Sequence, residues 1–538
     1  MSWNPFRKRE AEEPEAESVP GNGQPADAGG DRDDATDPLV QAGHVEERCE
    51  LLREQNGIRL ERVEVWGPAG LSDSFIRLLV HEHGPQADKL RALLLDGPEE
   101  VTGFRDLLVR DDCALAAALE LPDSDLASLL ARPVGTTPRP RAIDLLRGLR
   151  AFAQLCTYME QEHGLYWQHP SARQIGVKGE GPAEPAGLRR HRLLLGAWDQ
   201  LSGDRVEPAA LVVLLATQLH QLRSEAAEVE FAYGVEQLGR LLAELEQLAA
   251  PHDLTYAQLA DELGALAVQF TAGSATDAGQ VRAHNEDAAL LMTLDQQSFA
   301  GSQLVLAAVA DGMGGHLSGE VASSLALDLL RQQLGMGLLA PRSTPVEAAR
   351  LGEQLESIIP AIDRALTERA QLDAQLAGMG TTLAGLAVLR RQSTTEVGGA
   401  AESAAVFHVG DSRAYLLTSD GPRRLTRDHS YVQQLLDSGA IGPDEAFSHP
   451  QKNVITRCLG GGTSDSAPDV SAFSPGFGEI VLLCSDGLTD VLRDGDLWRV
   501  VGEAGTADLD ALARALVDAA NAGGGPDNIT VVLIGCGL

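Results

Sequence analysis

Leu304-Val305-Leu306-Ala307-Ala308-Val309-Ala310-Asp311-Gly312-Met313-Gly314-Gly315-His316 decides how this chain is read. The apolar run is a buried strand. It ends on an aspartate followed by closely spaced glycines, which leave main-chain groups bare and let a ligand approach. Asp-Gly pairs mark turns in many proteins, so the run gains its meaning from the segments around it. Arg282-Ala283-His284-Asn285-Glu286-Asp287 precedes it. Val406-Phe407-His408-Val409-Gly410-Asp411-Ser412-Arg413 follows, with strand-like alternation around the aspartate. Ile480-Val481-Leu482-Leu483-Cys484-Ser485-Asp486-Gly487 repeats the theme of a buried strand ending in Asp-Gly. Gly525-Pro526-Asp527-Asn528 then runs into the strand Ile529 to Ile534. Each segment sets a carboxylate near a strand end, where distant parts of a chain converge. No His/Cys set has zinc spacing, and an all-oxygen carboxylate cluster suits Mg²⁺ or Mn²⁺.

These motifs, with Gly378-Met379-Gly380-Thr381-Thr382 between the second and third acids, stand in a fixed order along residues 269–538. In that order they resemble the metal-dependent protein serine/threonine phosphatases of the PPM (type 2C) family. The resemblance implies hydrolysis of phosphoserine and phosphothreonine monoesters on proteins by a water activated between two divalent ions. It implies that Asp311 bridges the two metals, that the Gly312 carbonyl completes the shell of one, and that Asp486 and Asp527 bind the other. Glu286 and Asp287 are implied at the metal edge, holding metal-bound waters. Arg282 is implied to grip the substrate phosphate in fork geometry. Asp411 with Asp486, and Asp490 as a further candidate, resemble the site of a weaker third metal. Some members carry a histidine directly after Asp-Gly as a proton donor; here Met313 stands there and has no proton to give. A metal-bound water is the expected donor, with His316 as the competing candidate.

The family likeness further implies an α+β fold: a four-layer α/β/β/α sandwich of two antiparallel sheets. Its expected strands are Leu304–Val309, Thr382–Leu389, Ala404–Val409, Ala414–Thr418, Ile480–Cys484 and Ile529–Ile534. Helices are expected over Gly319–Gly335, Leu351–Gln371 and Leu509–Asn521. The segment Leu425–Gly462 corresponds to a flap beside the site, with a short helix before Gly439. Its histidines His429 and His449 are read as structural.

At 538 residues the chain has room for two or three domains. A net charge of −35 argues against nucleic acid or an anionic membrane as partner. Six cysteines are scattered without paired spacing, as in reduced, cytoplasmic proteins. No apolar stretch is long enough to span a bilayer, and Met1 to Arg9 leads into a charged tract unlike a signal peptide. Residues 1–42 are acidic, rich in Gly, Pro and Ala and poor in large apolar side chains. Such a segment is expected to be disordered.

Residues 43–268 form a separate problem. Ile143–Glu162, Pro208–Ala226 and Tyr233–Ala250 carry apolar residues at helical spacing, while Leu60–Val80 and Lys89–Leu95 read as strands and turns. Two readings stay open. One is a helix-rich regulatory domain of its own kind. The other is a degenerate kinase-like fold, since His163 to Val177 resembles a kinase catalytic loop, with Trp167-Gln168-His169 in place of His-Arg-Asp and Gln174 in place of the metal-binding Asn. Gly67-Pro68-Ala69-Gly70 is the candidate for a worn glycine-rich loop. No aspartate stands where the base belongs, so either reading makes the region non-catalytic.

Two functions compete for the whole chain: an active phosphatase in signalling, acting on phosphorylated proteins and paired with a cognate kinase, or a non-catalytic scaffold that only binds phosphoprotein. A pseudophosphatase loses metal-binding acids; here Asp311, Asp486, Asp527 and Arg282 are all present.

Overall fold

The structure is a computed structural model that describes residues 46–538 apart from internal stretches, among them 131–140, 181–189, 315–317, 340–347, 393–399 and 462–465. The 1–42 tail, Pro68-Ala69, His169, Gly315 and His316 lie outside the described residues.

The amino-terminal half opens with an antiparallel sheet in the order Glu46–Gln55, Ile58–Gly67, Gly70–Val80, Leu115–Glu120, Phe104–Leu107. Helix Pro85–Asp96 leads from the third strand towards the outer one. This corrects the expectation of strands and turns over Lys89–Leu95. Ala87, Leu90, Leu93 and Leu94 are the buried positions, a spacing of three and four that only a helix turns to one side. They pack with Ile58, Leu60, Leu78 and Ala117 from one face of the sheet. Helices Ala142–Tyr158, Ala209–Glu228, Ala232–Ala249 and Tyr256–Ala265 complete that core. Residues of the kinase-like segment fall at the helix end Met159–His163, in the short strand Tyr166–Trp167 and in the turn Ala172–Gln174.

From Gln269 onward two antiparallel sheets stack. The back sheet runs Gln269–Asp277, Ile529–Gly537, Ile480–Cys484, Arg413–Thr418, Gly421–Arg424. The front sheet runs Leu459–Gly460, Gly380–Thr381, Ser302–Met313, Leu383–Gln392, Ala400–Val409, Asp469–Ala472, with Asp287–Gln296 also paired to Ser302–Met313. Val305, Ala307, Leu386 and Val406 meet Leu416, Val481, Val532 and Ile534 between the sheets. The alternate residues Leu306, Ala308, Ala387 and Phe407 face outward onto helices Ser318–Leu339 and Ala348–Leu372. Both faces of the central strands are therefore covered, which is why they read as unbroken apolar runs. Helices Asp494–Ala504 and Leu509–Ala522 cover the back sheet through Leu497, Val500, Leu512 and Leu516. The four layers expected from the sequence are present.

The two halves share packing. Phe231 and Tyr233 are buried in the layer behind the back sheet, among Ile480, Leu482 and Leu533. Gly535 makes room for Tyr233: a Cβ there would meet the phenol oxygen at 2.3 Å. Arg141 pairs with Glu479 at 2.8 Å with both side chains buried. Among the described residues no helix is long and apolar enough to cross a membrane.

Candidate active site

Strand pairing builds the site. Asp287 opens one front-sheet strand and stands directly opposite Asp311 at the end of its neighbour, a like-charge pair that costs stability unless something compensates it. The Asp311 main chain is held from both sides: its N–H donates to Thr382 Oγ1 at 3.0 Å, and its carbonyl accepts from Thr381 Oγ1 at 2.9 Å. Gly312 N–H donates to the Glu286 carbonyl at 3.2 Å. A Cβ on Gly312 would lie 2.1 Å from the Gly319 carbonyl oxygen, so only glycine fits this crossing of backbones.

From the back sheet, Ser485 directly precedes a short helix whose first residue is Asp486, and its Oγ is not turned onto that helix but donates to Asp287 Oδ2 at 2.7 Å. Asp411 follows Gly410, whose φ is +105°, and is buried. Asp527 takes a 2.6 Å bond from Arg282 on its Oδ2 and the Asn528 N–H on its Oδ1 at 2.9 Å. Glu286 lies against Gly319, where a Cβ would be 2.4 Å from its Oε2. Asp490 is paired with Lys452 at 2.7 Å.

Asp287, Asp311, Asp411 and Asp486 are all shifted above the ordinary carboxylate range, burial being the largest cause. Burial, together with the charges of Asp486, Asp287 and Asp411, pushes the Asp311 carboxyl well above its usual range. Asp486 is pushed well up by burial and by Asp411, Asp490 and Asp527. Burial raises Asp287 to about 6, against the opposing hydrogen bond from Ser485. Burial and the charge of Asp428 raise Asp411 to about 7. Asp287 Oδ1 and Asp486 Oδ1 are buried without a hydrogen-bond partner. Crowded carboxylates with orphaned oxygens, beside a glycine that admits bare carbonyls, are the donor set of a hard divalent cation. The residues fit such an ion.

Several contributors were not legible as functional in the sequence. Asn528 ties the Arg282–Asp287 loop to the back sheet: its Nδ2 donates to the carbonyls of Ala278 and His284 at 3.0 and 2.9 Å, and its Oδ1 accepts from Glu286 N–H at 2.8 Å. Arg413 forks onto Asp428 at 2.7 to 3.2 Å, and Arg424 reaches the same carboxylate. Asn528 closes the Gly525–Asn528 motif next to Asp527, which was the available signal. Arg413 closes the motif around Asp411, but its pairing with Asp428, 15 residues away, had no signal in the chain.

Comparison with known proteins shows the family of this half of the chain. A family model for protein phosphatase 2C matches residues 278–511. A serine/threonine phosphatase, stp, of Listeria innocua is 35% identical over 262 residues, 48% of this chain and 93% of its own length. The chain belongs to the protein phosphatase 2C family. The 2C match takes in Arg282, Glu286, Asp287, Asp311, Gly312, Asp411 and Asp486, while Asp527 joins the site from beyond it. The serine/threonine protein phosphatase PstP of Mycobacterium tuberculosis is 35% identical over 268 residues; this covers 50% of the present chain but only 45% of PstP. A solved PstP catalytic domain in complex with two manganese ions aligns over 50% of this chain and all of its own at 30% identity, with a TM-score of 0.40.

Proposed function

We propose that the catalytic half is a protein phosphatase that hydrolyses phosphoserine and phosphothreonine monoesters with the help of two divalent ions, Mg²⁺ or Mn²⁺. The observation that carries this is the meeting of Asp287, Asp311, Asp411 and Asp486 at one end of the sandwich, with Arg282 at its rim on Asp527. Bound divalent ions supply Lewis acidity and bring the pKa of water towards neutrality. Asp311 would bridge the pair, Gly312 would lend its carbonyl to one ion, and Asp486 and Asp527 would hold the other. Glu286 and Asp287 would orient water at the edge, Ser485 steadying Asp287. Asp411, with Asp486 and Asp490, would form a weaker third site. Arg282 is half exposed in its bond to Asp527; release of Asp527 to a cation would free the guanidinium for the substrate phosphate. Met313 takes no part in proton transfer; water is the proposed donor to the leaving group, with His316 the competing candidate.

Retention of every candidate acid favours catalysis over the scaffold reading. Phosphorylated proteins are the proposed substrates, with a kinase of the same signalling system as partner and the cytoplasm as setting; free thiols at Cys49, Cys156 and Cys484 support the last. For residues 43–268 we propose a regulatory, non-phosphorylating domain of kinase-like plan. A strand-rich lobe followed by a helical one supports that reading. The test is hydrolysis of a phosphothreonine peptide by the full chain with Mn²⁺, with EDTA, and with Asp311→Asn. Hydrolysis that survives both EDTA and the substitution would overturn the two-ion mechanism.

A further inference from the structure

His408, His429 and Asp469 form a second polar cluster, beside the flap, with potential ligand atoms within 4.8 Å of one another. Hydrogen bonding rules it out as a metal site. Gly410 N–H donates to His429 Nδ1 at 3.1 Å, and a backbone N–H can only donate. The neutral ring therefore carries its proton on Nε2 and has no lone pair there for an ion. That Nε2–H faces Asp469 Oδ2, 3.3 Å away, and Arg457 donates to Asp469 Oδ1 at 3.1 Å. Arg457 Nη1 also lies 3.2 Å from Nε2, so two donors share the Asp469 carboxylate and a second cation would meet the guanidinium. His408 is fixed the same way: its Nε2 donates to the Arg427 carbonyl at 2.7 Å, and its ring stacks on His429 with centroids 4.5 Å apart.

The backbone doubles the link. His429 N–H donates to the Gly410 carbonyl at 2.8 Å, and the His429 carbonyl accepts from Thr456 N–H at 2.7 Å. One residue thus joins both ends of the flap, near Ser430 and Arg457, to the turn that delivers Asp411. Gly410 sits at φ +105°, so the turn is one that a side chain would strain, and His429 holds both of its hydrogen-bonding groups.

We infer that His429 is a positioning residue: oriented by Asp469 and Arg457, it fixes the Gly410–Asp411 turn and so couples the seating of the flap to the affinity of the cation held by Asp411. This rests on the proposed role of Asp411 as a metal ligand. A ligand held within about 0.5 Å by a locked neighbour binds better than one on a free loop.

Calorimetric titration of the full chain with Mn²⁺ tests the inference. Asp411→Asn should remove the weakest ion. His429→Leu should weaken that same ion roughly tenfold, the size of effect seen for lost outer-shell partners, and leave the tighter ions unchanged. His429→Asn supplies an oxygen in place of Nδ1 and should restore most of the affinity. Asp469→Ala lies at a half-exposed edge, keeps the fold, and should weaken the ion by a smaller factor, so the test stands even if His429→Leu fails to fold. Loss of the ion in Asp411→Asn with wild-type binding in both His429→Leu and Asp469→Ala would overturn the positioning role alone. Wild-type binding by Asp411→Asn would overturn the metal reading beneath it.

Discussion

Both halves of the molecule bury charge, and they do so in opposite ways. In the amino-terminal sheet Arg77 is buried but meets Glu47 at 2.7 Å and Glu61 at 3.6 Å. In the catalytic half Asp287, Asp311, Asp411 and Asp486 are gathered with their carboxyls shifted upward by burial, and for Asp311 and Asp486 by neighbouring carboxylates as well. A compensated buried charge is structure; an uncompensated cluster of one sign is a site that waits for its counterion. The contrast singles out the carboxylate cluster, without reference to any motif, as the place built to receive a cation.

The contrast breaks most simply at Asp311. Asp311→Asn should reduce hydrolysis of p-nitrophenyl phosphate to background while the fold, read by circular dichroism, is kept. A wild-type rate would show that the cluster is not the catalytic centre. The opposite substitution in the other half, Arg77→Ala, takes from Glu47 its partner at 2.7 Å, while Glu61 keeps Arg59 at 2.7 Å, and should cost about 1–3 kcal/mol of stability. Its kcat on the aryl phosphate should not change; a matching loss of activity would mean that the halves are not separable in this sense.

A third expectation concerns pH. Without metal, Asp287 holds its proton up to about 6 and Asp411 up to about 7, above the ordinary carboxylate value of about 4. Between these limits the folded chain binds more protons than the unfolded one, so stability must fall as pH rises. Thermal unfolding in EDTA should therefore drop from about pH 5 to about pH 8, and Mn²⁺ should remove the slope. A rising or flat profile in EDTA would contradict the cluster's electrostatics. The smallest effect is expected for Arg282→Ala: KM raised roughly tenfold, equivalent to about 1.4 kcal/mol, with kcat nearly unchanged. A loss confined to kcat would place Arg282 in the transition state only.

Much of this was legible in the residues, for reasons that differ by element. The strands through Val305, Leu386, Val406, Val481 and Val532 are apolar on both faces, and that pattern survives without coordinates. Gln269–Asp277 and Asp287–Gln296 were missed because they lie at sheet margins, pair on one side, and expose much of their length. Lys89–Leu95 misled because a short leucine run fits either period until its neighbours are known. At the site, Asp311, Asp411 and Asp486 announced themselves at strand ends. Ser485, Asn528 and the Arg413–Asp428 fork act through hydrogen bonds across the fold, which spacing in the chain does not encode.

The place of Ile529–Gly537 has a consequence for biosynthesis. This fully buried strand lies between Gln269–Asp277 and Ile480–Cys484, and it is translated after both. Until it leaves the ribosome the nascent back sheet has an open slot flanked by unpaired edges, the state most exposed to misassembly. Asp527 enters just ahead of it, and Gly535 receives Tyr233 from the other half. Completion of the sheet and delivery of Asp527 are therefore one event, while the halves have earlier contacts in Arg141–Glu479 and in Phe231 against Ile480 and Leu482.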